Sequence, residues 1–188
     1  MVRMTSFWWD VDPFFIWAFR LLPAGALAFV VGCTVLALLA VVLGNVSSVV
    51  VQGLNRGWYR RQYEEMIRMH NISVDAVAHG SKDAYLAANK EAMEAFGKYF
   101  FSQAGVFTVS LWPVPVVLAW MDLRFREAPL EIFGWNIPYF VVFLVTYIGV
   151  RLVVGSRLKL LGPYRRLCVW AEHRGSISTR HFEDMGKE

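Results

Sequence analysis

Residues 56–98 read RGWYRRQYEEMIRMHNISVDAVAHGSKDAYLAANKEAMEAFGK and form the one long polar segment between two very apolar ones. Seven Lys/Arg against six Asp/Glu make it water-facing yet nearly neutral. It also carries Trp58, Tyr59, Tyr63, Met66, Met69, Tyr85, Met93 and Phe96, which suggests a helical hairpin rather than a flexible linker. Trp58, Gln62, Met66 and Met69 recur at near-heptad spacing. Asn71 to Gly80 then interrupts the pattern, and Ser81 is placed to cap a second helix. Tyr85, Ala88, Ala92, Phe96 and Tyr99 follow on one face of it. The two seams suit a short, loosely packed antiparallel coiled coil.

Working upstream, no charge falls in the 35 residues between Arg20 and Arg56. A helix of that length reaches about 50 Å, whereas a hydrocarbon core is roughly 30 Å thick. The first span, 21–55, should therefore project past the bilayer. Gly44, Asn45, Ser47, Ser48 and Gln52 dilute its C-terminal end, where the helix is expected to run directly into the hairpin. The apolar run is too long for a signal-peptide core and has no small-x-small site at its far end, so it should be retained. Residues 1–20 hold Trp8, Trp9, Phe14, Phe15 and Trp17, side chains suited to the headgroup layer. Asp12 is placed as a helix N-cap with Pro13 at the first helical position. A short interfacial helix and a simple aromatic collar both fit this segment.

Downstream, a second span (99–121) fills the charge-free interval between Lys98 and Asp122, and it contains Trp112-Pro113-Val114-Pro115. The prolines lack N–H groups, so the carbonyls of Val109 and Leu111 should lose their helical partners and the helix should kink. Residues 122–131 leave room for an extracytoplasmic turn, and 132–150 for a third span just long enough to cross. The tail, 151–188, mixes Arg157, Lys159, Arg165 and Arg166 with leucines, Val169 and Trp170. That mixture suits a basic segment lying on a lipid surface.

The whole chain has 188 residues, 56% of them hydrophobic and 15% aromatic, far from an ordinary soluble protein. The fold class expected is an all-α integral membrane protein with three transmembrane helices and a cytoplasmic helical hairpin between the first and second. Net charge is +4, but the basic residues sit beside apolar spans, where anionic headgroups explain them better than nucleic acid, and no direct DNA binding is expected. The hairpin and tail hold fifteen Lys/Arg against four in the N-terminal segment and the turn. The positive-inside rule then places the N-terminus outside and both hairpin and tail in the cytoplasm.

Several chemistries lack their residues. Cys33 and Cys168 fall at different depths, and no CxxC or HExxH ligand set occurs, so neither a disulfide nor a metal is expected. His70, His79, His173 and His181 all lie in the hairpin or tail, leaving the spans without haem ligands. No Asp, Glu, Lys, Arg or His lies inside the three expected spans, which argues against an intramembrane enzyme or proton-coupled transporter. No cofactor is expected.

What the spans do hold is neutral polarity at one depth. Asn45, Ser48 and Gln52 share a face in the cytoplasmic half of the first span. Gln103 and Ser110 lie seven residues apart on the second, and Thr146 lies in the cytoplasmic half of the third. Polar groups facing lipid are costly, so these faces should turn toward each other or toward water. Packing contacts and a shallow hydrated groove, open sideways to lipid, both satisfy that demand.

The stretch from Ala87-Ala-Asn-Lys-Glu-Ala-Met-Glu-Ala-Phe-Gly-Lys98 through Leu111-Trp-Pro-Val-Pro115 resembles the hairpin-to-second-span junction of the YidC/Oxa/Alb-type membrane insertase superfamily, above all its small three-span members. The topological likeness covers about Leu21 to Tyr164. It implies a non-enzymatic, chaperone-like protein of membrane protein biogenesis, multi-pass in a prokaryotic inner membrane. The client groove would fall to Asn45, Ser48, Gln52, Gln103, Ser110 and Thr146. Met66, Met69 and Met93 would receive nascent or hydrophobic client proteins, or the ribosome, because methionine adapts to varied apolar partners. The bacterial branch carries an arginine in its groove; none lies inside the spans as drawn. The alternative from another class is a non-catalytic accessory or anchor subunit of a larger membrane complex, with the hairpin and the Trp-rich N-terminus as binding surfaces.

Overall fold

A computed structural model describes residues 6–23, 25–78, 82–126, 131–132, 135–158 and 162–171. The chain is helical: α1 (Ser6–Ile16), a 3₁₀ turn (Trp17–Arg20), α2 (Ala26–Leu54), α3 (Arg56–Ala78), α4 (Lys82–Val109), α5 (Pro113–Phe125), α6 (Tyr139–Arg157) and α7 (Gly162–Ala171). A minimal antiparallel ladder joins β1 (Glu131–Ile132) to β2 (Trp135–Asn136) between α5 and α6. Two helical runs are long and apolar enough to cross a membrane, α2 and Lys82–Phe125. Tyr139–Gly155 is a shorter apolar helix.

The chain divides into two compact units, residues 1–48 with 109–166, and residues 49–108 with 167–188. In the first, α2 is the post on which the rest packs. Ala, Val, Leu and Cys alternate along it without a charge, and Phe29, Cys33, Leu36, Ala37, Ala40 and Val41 are buried. They join Ala18, Val117, Trp120, Met121, Phe143, Tyr147 and Leu158 in one core. Gly32 admits the Phe19 ring, since a Cβ there would overlap it. Asp12 is not a cap as the sequence suggests: α1 begins earlier, at Ser6, and encloses Pro13. The Asp12 carboxylate instead accepts the Trp120 indole N–H at 3.0 Å, and this bond satisfies the one polar atom of a fully buried ring.

In the second unit α2 passes into α3 through Asn55 alone, whose N–H donates to Val51 O while its own carbonyl accepts from Trp58 and Tyr59. The expected interruption at Asn71–Gly80 does not occur over the described residues, because α3 continues through Asn71 to Ala78. The buried register of α3 is also turned by one residue. Tyr59, Ile67 and Val74 are buried, while Trp58 is half in water and Gln62 is only part-buried. Arg60–Glu64 and Glu65–Arg68 pairs lie on the solvated side. On α4 Tyr85, Ala88, Ala92, Ala95, Tyr99, Ser102 and Val106, spaced by three and four, are among the residues withdrawn from water. Ala95 replaces Phe96 in that register, and Phe96 is 50% exposed. Tyr63 and Tyr99 meet edge-on at 5.7 Å. The expected Ser81 cap lies outside the described residues.

Candidate functional site

α4 stops at Val109 and α5 starts at Pro113, so the helix is interrupted over residues 110–112 at the Pro113–Pro115 pair, within the longer helical run Lys82–Phe125. Leu111 O, deprived of Pro115, accepts from Val114 N–H at 3.0 Å instead. Ser110 therefore sits in the break and not on a helical face shared with Gln103.

The break is held against residues 44–48 of α2. A Cβ on Gly44 would fall inside the Ser110 carbonyl oxygen, so only glycine lets the two backbones approach this closely. The Trp112 indole N–H donates to Ser47 Oγ at 3.0 Å. Gly44 O in turn accepts from Ser48 Oγ at 3.0 Å, and Asn45 Nδ2 donates to Val41 O at 2.8 Å. Ser48 is buried and Asn45 half-buried. These two bonds run back along α2 itself.

A third element brings a charge. α6 was expected to end before Arg151, yet Pro138 sets its start and it spans Tyr139–Arg157, twelve residues of helix preceding the arginine. Half-buried, Arg151 donates to Ser110 Oγ at 2.6 Å and to the Tyr147 hydroxyl at 2.7 Å. The guanidinium lies 5.9 Å from the Tyr147 ring centroid. Ser110 is 3% exposed, so the contact lies inside the bundle. Leu152, Val153, Val154 and Gly155 continue the helix past the charge, which is the signal in the sequence that a boundary drawn at the first arginine overlooked.

The structure thus brings Ser48 and Ser110 together at Gly44, leaves the Asn45 amide on Val41 O, and adds Ser47, Trp112, Tyr147 and Arg151. Thr146 donates to Val142 O at 2.7 Å within α6. Gln52 and Gln103 belong to the second unit. Gln52 is half-buried, and Gln103 Nε2 is buried with no hydrogen-bond partner among the described residues. An orphaned buried amide is a costly feature that a water or a polar ligand would relieve. Of the methionines, Met93 is 63% exposed, and Met66 and Met69 are part-buried. Arg157, Arg165 and Arg166 are exposed, and Lys159 lies outside the described residues.

Among the described residues, no group of three His, Cys, Asp or Glu side chains could hold a metal. No protein-family model, curated protein or solved structure matches the chain.

Proposed function

We propose that this chain is a multi-pass membrane protein whose three apolar helical segments, α2, α4–α5 and α6, cross the bilayer with the N-terminus outside, and that it helps hydrophobic helices enter the membrane without catalysing a reaction. The observation that carries the reading is Arg151 reaching Ser110 at the helix break. A guanidinium, an open backbone turn and the serines of residues 47–48 gather at one depth of an otherwise dry bundle. Such a place retains water and locally lowers the cost of moving a client's polar flank past the headgroups. The orphaned Gln103 amide favours a polar occupant in the second unit.

The client would be a nascent or newly released hydrophobic helix. Met93, exposed on α4 of the polar hairpin, suits first contact with it, and Met66 and Met69 on α3 are the hairpin's other methionines. The test is insertion of a short single-span client into proteoliposomes by the Asn45→Leu/Ser48→Leu/Gln103→Leu variant. Insertion should be lost while helical content and thermal unfolding are kept. Normal insertion by that variant would refute the groove.

One observation favours the second reading, an accessory subunit of a membrane complex. Leu86, Met93 and Phe96 are exposed on α4, and Leu86 and Met93 are one heptad apart, an apolar stripe that a fixed partner would cover. Co-purification with one protein at constant stoichiometry after mild extraction would establish it over insertion.

A further inference from the structure

The tail helix α7 carries a surface that insertion leaves unused. Tyr164, Leu167 and Cys168 are part-buried and Ala171 is 3% exposed, so one side of the helix turns inward. Arg165, Arg166, Val169 and Trp170 turn outward, with Val169 63% and Trp170 43% exposed. At 3.6 residues per turn these four fall within an arc of about 140°. Cations and apolar side chains therefore share one face. Basic and large apolar side chains on one face are the pattern of a helix that lies on a membrane surface.

Two features fix where this face lies along the chain's apolar elements. Only residues 159–161 separate Leu158 from α7, so the helix begins within about 15 Å of the end of α6. Trp170 also lies against Gly53, next to the last residue of α2, where a Cβ would fall within the indole ring. Glycine at that point of a helix makes a seat for the ring. The indole is thereby seated against α2 while 43% of the residue stays exposed. Arg157, exposed at the end of α6, adds a further cation close by in the sequence.

We infer that the Arg165–Arg166–Val169–Trp170 face of α7 docks on a bilayer surface rich in anionic phospholipid. The guanidiniums bind headgroup phosphates, and Val169 and Trp170 enter the boundary between headgroups and acyl chains. Arginine suits the task because its planar fork meets two phosphate oxygens at once. The inference rests on the membrane reading and is independent of insertion, so either can fail alone.

The full chain, with Cys33→Ser, Cys168→Ser and an environment-sensitive fluorophore on Val169→Cys, is placed in nanodiscs of phosphatidylcholine alone or with about one third phosphatidylglycerol. The expected result is a blue-shifted emission, brighter by about twofold or more, only in the anionic discs. Arg165→Gln/Arg166→Gln should abolish the change and Arg165→Lys/Arg166→Lys should retain part of it. Equal emission in both discs, or a rise that survives the glutamine pair, overturns the inference. A response to added RNA in place of anionic lipid overturns it as well, and assigns the face to nucleic acid. A chain that elutes outside the disc fraction defeats the membrane reading itself.

Discussion

Trp120 and Ser110 lie ten residues apart on either side of the proline pair, and both are buried in the same unit. Around Trp120 the packing is aromatic: Phe15, Phe19 and Phe125 stand 5.2, 5.8 and 5.8 Å from its ring, and Phe29 meets Phe125 edge-on at 5.3 Å. Its single polar atom is matched by Asp12. Around Ser110 the contacts are a bare backbone approach at Gly44, the Trp112–Ser47 bond and an arginine. The first region is a clamp of interlocking rings, which leaves little room for water. The second is polar and open-turned, and a bundle that needed only stability would have filled it with leucine.

That contrast separates stability from function in mutants. Trp120→Ala should have the largest effect on stability, a loss of about 3–5 kcal/mol in thermal or denaturant unfolding in mild detergent, because Phe15, Phe19 and Phe125 lose their common neighbour. If it costs less than Gly44→Val, the clamp is not where the bundle is held. Gly44→Val should cost about 1–3 kcal/mol, since the added methyls must push the Ser110 backbone away. The same variant should also loosen the Trp112–Ser47 bond, visible as altered tryptophan emission. Arg151→Met should cost about 1–3 kcal/mol, since two hydroxyls lose a charged donor while the apolar replacement removes the cost of burying the guanidinium. Its effect on insertion should be the largest of the three when each is compared at equal folded fraction, tenfold or more. Arg151→Met with full insertion would make the polar region mere packing.

Much of the fold can be read from the charge-free interval before Arg56, because past Pro23 and Gly25 it holds no charge or proline to end a helix, and α2 indeed gives way to α3 at a single residue. The placement of α6 was harder. Charge marks the edge of a span only when the side chain must leave the bundle, and Arg151 stays within it by finding Tyr147 and Ser110. No local pattern announces a partner forty-one positions away. Asp12 failed as a cap for a similar reason: its sequence context, Asp before Pro, is a good helix start, but a buried indole competes for the carboxylate. On α3, Trp58 and Tyr59 are adjacent aromatics with equal claim to the inner face, and spacing alone did not choose between them. The polar positions of α2 were legible because Asn, Ser and Gln stand out in an apolar run. The glycines that decide what packs there were not, because a glycine's neighbour is invisible in one dimension.

The most direct test is site-specific photocrosslinking from Asn45 and Gln103 in membranes actively making membrane proteins, with Thr34 as the control. Thr34 is exposed on α2 and donates to Val30 O at 2.8 Å, far along the helix from the break. If the polar region receives clients, Asn45 and Gln103 will give adducts with many nascent chains and Thr34 few. A single adduct of fixed mass from either polar site would contradict insertion and make that face the seat of a permanent subunit.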